Sequence, residues 1–158
     1  MVVEDLEAYG MSRMDDGEIE GFLASQTVGI LGLPADGAPA MRPLSFWYDG
    51  GSRLYFVYVL TTDSRKVALT DRTDAARFLV YRVDTPFNWT SVLLTGTIHA
   101  VPEDERAAIE ADMEVRWRPD ALERASEERA TRLYRFEIDE RVGLRHNGLP
   151  PGFEPDRE

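Results

Sequence analysis

The segment from residue 61 to residue 66 carries the side chains with the clearest chemical potential in this sequence. It reads TTDSRK and opens a stretch that predicts a helix over residues 61–74. Unpaired backbone N–H groups and the positive end of the dipole favour an anion at a helix N-terminus. A guanidinium can donate two hydrogen bonds to phosphate, and an ammonium adds a point charge. We therefore predict either an ordinary capped helix or a phosphate site formed by Thr61, Thr62, Ser64, Arg65 and Lys66.

Lysine usage favours the phosphate interpretation. Of the 18 basic residues, Lys66 is the only lysine and all the others are arginine. A chain that uses arginine everywhere else has a lysine at the predicted anion site.

A second candidate segment lies on a predicted strand that precedes the anion site. A flat, redox-active heterocycle needs apolar packing for its ring and hydrogen bonds at its edge, and a strand with aromatic residues offers both. The alternative for Phe46 and Trp47 is core packing. The residues of this segment are Arg42, Pro43, Leu44, Ser45, Phe46 and Trp47.

Several familiar catalytic patterns are absent from the sequence. There is no glycine-rich nucleotide motif, no HExxH, no GxSxG around Ser45 or Ser91, and no cysteine. The two histidines, His99 and His146, lie far apart and have no second ligand at helical spacing, so we expect no metal site. His99 is expected to be packed or to face solvent. The sequence identifies no catalytic residue.

The elements that must position these residues alternate between strands and helices. Three early segments, 27–33, 38–48 and 52–60, are apolar at both alternating positions, which indicates strands covered on both sides. A barrel whose outside is covered by helices or by a partner subunit would explain this pattern. We predict further strands over 75–83, 88–101 and 131–139, and helices over about 15–26, 102–118 and 119–130. Core positions are expected for Tyr48, Tyr58 and Tyr81, and a stripe of Ile109, Met113 and Trp117 should face the barrel.

This order of elements predicts a mainly β fold of about six antiparallel strands with peripheral helices, not a parallel sheet. The length of 158 residues predicts a single domain. Within it we expect a loose leader over 1–14, a barrel over 15–145 and a flexible tail over 146–158.

The charge is acidic and unevenly distributed. The net charge is −11, and residues 1–20 and 103–128 each contribute −6. Clustered Lys and Arg are absent, so a nucleic-acid-binding surface is not expected. The composition is typical of a halophilic protein in a high-salt cytoplasm, or of a GC-rich genome. With no signal-peptide pattern and no apolar stretch of about 20 residues, we expect a cytoplasmic protein that does not enter the membrane.

Four segments together resemble the pyridoxamine 5′-phosphate oxidase-like family. They read VGILGL, MRPLSFWYDGGSRLYFV, TTDSRK and WTSVLLTGTIHAV. The resemblance implies a split β-barrel that forms a homodimer and binds FMN at the dimer interface. It also implies that Ser64, Arg65 and Lys66, helped by Thr61 or Thr62, bind the FMN phosphate. Residues 42–47 would then lie along the flavin ring, and Trp89 and Ser91 would reach the site of the partner subunit.

The C-terminal segment departs from the pattern of the oxidase itself. Residues 140–148 lack the Trp that precedes an Arg-Leu pair and a nearby His in that enzyme, so vitamin B6 phosphate is not the expected substrate. We expect an FMN-binding oxidoreductase that transfers hydride or electrons to a small molecule, with a nicotinamide as a candidate donor. Two alternatives remain open. One is a deazaflavin (F420)-dependent reductase, for which Arg72, Arg77 and Arg82 are the available basic residues, and the other is a non-catalytic flavin-binding or storage module.

Overall fold

The structure, a computed structural model, describes residues 10–60, 65–113 and 131–148. In these ranges the chain forms eight strands and three helices. In chain order they are β1 (Met11–Arg13), α1 (Asp16–Ser25), β2 (Val28–Leu33), β3 (Ala40–Ser45), β4 (Trp47–Tyr48), β5 (Arg53–Val59), α2 (Arg65–Arg72), β6 (Ala75–Thr85), β7 (Asn88–Ala100), α3 (Glu103–Asp112) and β8 (Thr131–Asn147).

The strands form one antiparallel sheet in the order β3-β2-β6-β7-β8-β5-β4, with β1 beside β8. Strands β3 and β4 lie at opposite ends of this order, yet a single residue, Phe46, separates them in the chain. The sheet must therefore curl until its two edges approach each other, which confirms the expected mainly β, barrel-like fold.

The passage from β3 to β4 corrects one strand assignment. The sequence predicts a single strand over 38–48, but the chain changes edges at Phe46, whose side chain is buried and whose N–H donates to the Thr27 carbonyl at 2.9 Å. This division and the short β1 raise the number of strands from about six to eight.

Aromatic side chains fill the inside of the curled sheet. Phe46 and Phe56 both pack against Phe78, with ring centroids 5.3 and 4.9 Å away, and Phe136 completes the group. Strand β6 shows why this happens, because its alternate residues Phe78 and Val80 are fully buried while their neighbours are not. Side chains of successive residues in a strand point to opposite faces.

Helix α1 covers part of this core and begins as predicted. The side chain of Asp15 accepts from the N–H of Glu18, and the Glu18 carboxylate accepts from the N–H of Asp15, so the two form a capping box. Ile19 and Leu23 are buried beneath the helix. The helix approaches β8 at Gly143, where a Cβ atom would lie 2.7 Å from Cγ1 of Ile19.

Helix α3 covers the outside of one half of the sheet. Met113 is buried and Ile109 packs beside it, in a cluster with Tyr55, Val101 and Leu133. The predicted stripe is confirmed for Ile109 and Met113. Its third member, Trp117, and the predicted helix over 119–130 lie outside the described residues.

Strand β8 is longer than the sequence indicates. The prediction ends the strand at residue 139, but β8 continues to Asn147 and pairs with β7 along its length. His146, at the predicted start of the tail, is 7% exposed and packs edge-on against Trp89 with 5.6 Å between ring centroids. Pairing with β7 and β1 holds a segment whose charged residues obscure its alternation.

The remaining parts of the predicted leader and tail, residues 1–9 and 149–158, lie outside the described residues. Of the three tyrosines expected in the core, Tyr58 is fully buried. The prediction for Tyr81 is wrong, because this side chain is 49% exposed on the outside of β6. In the ranges that the structure covers, no helix combines the length and apolarity that a membrane crossing requires.

Candidate functional site

An apolar row crosses the outside of five adjacent strands. The register pairs Pro43 with Ile30, Ile30 with Leu79, Leu79 with Leu93, and Leu93 with Val142. Directly paired residues of antiparallel strands project from the same face of a sheet. These five side chains therefore form a continuous row, which we call the outer row.

The surface around the outer row is exposed and strongly apolar. Among the described residues, every large hydrophobic side chain with high exposure lies on β2, β3, β6, β7 or β8, or in the β6–β7 turn. These residues are Val28, Met41, Tyr81, Val83, Phe87, Leu93 and Val142, with exposures between 37% and 58%. We call the outer side of these strands the open face, since α3 covers only the other half of the sheet. Contiguous apolar surface of this kind on a soluble protein marks a binding or interaction surface.

The two predicted residues of β7 lie on the open face. Trp89, Ser91 and Leu93 alternate along the strand, while Val92 between them is fully buried. Ser91 pairs with Tyr81 on β6. Trp89 and Ser91 are therefore placed where a second molecule could reach them.

The predicted segment 42–47 is divided among three environments. Pro43 and Ser45 pair with Ile30 and Val28 and so project from the open face, and Arg42 and Leu44 project from the opposite face of β3. The side chain of Phe46 lies in the core, as the alternative interpretation from sequence held.

Trp47 packs against Tyr55, with 5.5 Å between ring centroids, in the cluster covered by α3. It is therefore on the far flank of the sheet from β3. Between β3 and β7 stand β2 and β6, so Ser45 and Ser91 are about 14 Å apart at a strand spacing of about 4.8 Å. One chain does not bring the predicted residues of β3 and β7 into contact.

The anion site predicted from the sequence would lie at the N-terminal end of α2. This helix begins at Arg65, inside the range of 61–74 predicted for it, so the backbone of Arg65 and Lys66 forms its first turn. Thr61, Thr62 and Ser64 lie outside the described residues. The far end of the helix is held by the barrel, because the Tyr134 hydroxyl donates to Oδ1 of Asp71 at 3.0 Å.

Electrostatics at this contact follow from burial. Burial raises the pKa of Tyr134, and the neighbouring Asp71 carboxylate acts in the same direction. Burial also raises the pKa of Tyr58, whose hydroxyl lies 3.2 Å from that of Thr70. Both phenols therefore keep their protons at neutral pH.

A cleft of about 450 Å³ separates α2 from the β2–β3 turn. Arg72 lines it, together with Asp36 and Leu69. The other two arginines considered for a deazaflavin do not join Arg72. Arg77 and Arg82 are an odd number of residues apart on β6 and project from opposite faces, and Arg82 pairs with Asp84 at 3.3 Å.

Some residues of this region were not predicted from the sequence. For Leu79 and Val142 in the outer row, the sequence offers only a weak signal, namely apolar residues at outward positions of strands. The sequence offers no signal for the contact of Asp71 with Tyr134, because 63 residues separate them. His99 is exposed, as expected.

Comparisons with known proteins give a consistent family. Residues 15–145 match the family model described as pyridoxamine 5′-phosphate oxidase. None of the curated proteins matches the chain.

Solved structures share the fold at low sequence identity. A FAD-binding protein from Mesorhizobium loti is 19% identical, with a TM-score of 0.68 over 87% of this chain and 99% of that one. A FAD-binding protein from Mycobacterium smegmatis is 16% identical, with a TM-score of 0.66 over 87% of this chain and 100% of that one. A FAD- and heme-binding protein from the same organism is 19% identical, with a TM-score of 0.68 over 89% of this chain and 75% of that one.

Proposed function

Because the chain belongs to the pyridoxamine 5′-phosphate oxidase family, we propose that it is an FMN-binding oxidoreductase that acts as a homodimer. It transfers hydride or electrons through the flavin to a small molecule, with a nicotinamide as the candidate donor. Bound flavin would supply the redox chemistry, and the protein would supply binding, orientation and exclusion of water.

The observation that carries this proposal is the open face. On this face Leu93 and Val142 are exposed at the centre of the sheet, and covering them would remove apolar surface from water, which is favourable in free energy. A second copy is a fitting cover, because a two-fold axis brings the same patch of each subunit together. The predicted ligand residues Trp89 and Ser91 stand on this face, so each could reach the flavin of the partner.

Two features of this chain support a ligand with a flat apolar ring and a phosphate. The outer row offers apolar contact, and Ser45 and Ser91 offer hydroxyl groups on the same face. The N-terminal turn of α2, with Arg65 and Lys66, offers amides and positive charge for the phosphate. Phe46 and Trp47 pack elsewhere, and Arg42 and Leu44 project from the opposite face of β3, so the proposal relies on the side chains of Pro43 and Ser45 for the ring. The relatives described as FAD-binding support a flavin.

We also propose a cellular location for the protein. We place it in the cytoplasm, where its net charge of −11 would help to keep it in solution at a high salt concentration. Of the two acidic regions, the described parts include α1 and α3, whose first turns carry carboxylates that also favour helix formation.

The first test is the visible absorption of the protein, purified in high salt and supplemented with FMN before gel filtration. Flavin bands that elute with a dimer support the proposal, and FAD added in parallel tests the cofactor of the relatives. A single deazaflavin band in protein as isolated would favour the F420 alternative. Flavin that binds but is never reduced by a nicotinamide would favour the storage module. A colourless protein that binds no flavin would contradict the proposed function.

A second test addresses the phosphate anchor. The double change Arg65→Ala and Lys66→Ala should lower FMN affinity at least tenfold, because each charge-assisted hydrogen bond contributes about 1.5–3 kcal/mol. Arg53→Ala is the matched control, since it removes an exposed cation paired with Glu137 far from α2. Unchanged FMN affinity in a folded double variant would refute the anchor.

A further inference from the structure

Two buried tyrosines contact successive residues in the last turn of α2. Tyr134 on β8 donates to Asp71 at 3.0 Å, and the hydroxyls of Tyr58 on β5 and Thr70 lie 3.2 Å apart. The two rings stack, with 4.2 Å between centroids and 32° between planes. Both side chains are buried, and both residues belong to the paired strands β5 and β8 of the barrel.

Arg132 extends this contact at the surface. Its Nη1 atom lies 3.4 Å from Oδ2 of Asp71 and 3.4 Å from the Tyr134 hydroxyl. Asp71 therefore accepts from two groups of the same strand, both fixed by the pairing of β8 with β5. We call Tyr134, Asp71 and Arg132 the helix clamp.

The clamp matters because α2 is a short helix that depends on its contacts with the barrel. The helix has eight residues, and so short a helix is marginal in water without tertiary contacts. Among residues 67–72, Leu69 is the only hydrophobic side chain that is buried, and Val67 is only partly so. Hydrogen bonds at Thr70 and Asp71 therefore contribute a large share of what orients the helix.

Burial raises the pKa of Tyr134, so its hydroxyl remains a donor to Asp71 throughout the neutral range. The bond joins a buried donor to a carboxylate and belongs to the stronger class of hydrogen bonds. Breaking it would remove the hydrogen bond that joins the last turn of α2 to β8.

We propose that Tyr134 and Asp71 are positioning residues that set the direction of α2, and with it the placement of the phosphate-binding turn. The proposal rests on the proposed function, in which that turn binds the FMN phosphate. Asp71 follows Arg65 by six residues, which is about 9 Å along a helix. A helix released at one end would tilt, and the N–H groups at its other end would no longer point at the phosphate.

The test compares FMN with riboflavin, which has the same ring but no phosphate. Affinities for both are measured by fluorescence quenching in wild type, Tyr134→Phe and Asp71→Ala. We expect FMN affinity to fall five- to tenfold in each variant, with riboflavin affinity unchanged within twofold. The double variant should lose no more than Asp71→Ala alone, because both changes break the same contact.

Tyr48→Phe is the matched control. It also removes a tyrosine hydroxyl, one that donates to the Gly51 carbonyl at 2.7 Å in the β4–β5 turn. It should leave the ratio of FMN to riboflavin affinity unchanged. Hydrogen exchange of the α2 amides gives a second readout, and it should become faster in the two clamp variants but not in the control.

The outcomes separate the two proposals. If wild type prefers FMN and the clamp variants keep that preference, the clamp is not a positioning device and the inference is wrong. If the variants lose both ligands equally, the role is structural, which also overturns it. If wild type binds FMN and riboflavin equally, the phosphate anchor itself fails, and the inference falls with it.

Discussion

The most informative perturbation is a charge placed at the centre of the open face, by Leu93→Arg. Leu93 is 37% exposed and pairs with Val142, which is 43% exposed. Complete burial of such a side chain contributes about 1.5–3 kcal/mol, so covering the exposed two-fifths contributes about 0.6–1.2 kcal/mol. A two-fold dimer includes the residue twice, which makes about 1.2–2.4 kcal/mol.

The arginine adds a second cost, because it places two unpaired guanidinium groups in an apolar interface. Together these effects should weaken the dimer by more than about 3 kcal/mol, or more than about a hundredfold in Kd. Sedimentation measured over a range of protein concentrations gives the dissociation constant directly. FMN affinity of the same samples shows whether cofactor binding requires the dimer.

The matched control is Ala108→Arg, which adds the same charge to an exposed position of α3 on the covered half of the sheet. Wild type and the control should be dimeric, and Leu93→Arg should be monomeric with weakened FMN binding. A dimer that survives the substitution would refute the open face as the interface. A monomeric variant that binds FMN normally would instead refute the placement of the cofactor at that interface.

Two further predictions concern stability. Gly143→Ala should lower the free energy of unfolding by about 1–3 kcal/mol, because the new Cβ would lie within 3.0 Å of Ile19 and Met14. Gly21→Ala, on the exposed side of α1, should raise the free energy of unfolding by about 0.5–1 kcal/mol, because alanine favours a helix more than glycine does. Chemical denaturation of both variants checks these opposite signs. Above about pH 10 the free energy of unfolding should fall, because burial raises the pKa of Tyr58 and Tyr134 in the folded state and only the unfolded chain then releases these protons. In thermal melts across this range, the melting temperature of Tyr134→Phe should decline less steeply with pH than that of wild type. An equal decline in the two proteins would contradict the assignment.

Sequence patterns located most of the elements. The helix predicted over about 15–26 corresponds to α1, and the strands predicted over 75–83 and 88–101 correspond to β6 and β7. The signals for these elements are local, because each is contained in a few consecutive residues. The segment TTDSRK also predicted an anion site at the start of α2, and this site remains a proposal.

The sequence was less informative where contacts join distant parts of the chain. It treated residues 38–48 as one strand, although Phe46 turns inward there and sends the chain to the opposite edge. It ended β8 eight residues early, because pairing with β7 and not local propensity holds that half of the strand. It placed Tyr81 in the core, since an outward apolar residue has the same local pattern as an inward one.

By itself, then, the sequence determined the class of fold, the presence of a helix within residues 61–74, the acidic character and the family. Only the tertiary structure decided which apolar residues are left uncovered and which polar groups meet. The outer row requires five strands in register, and the contact of Tyr134 with Asp71 spans 63 residues. Such pairings depend on the combined packing of the whole barrel, and no short stretch of sequence contains that information.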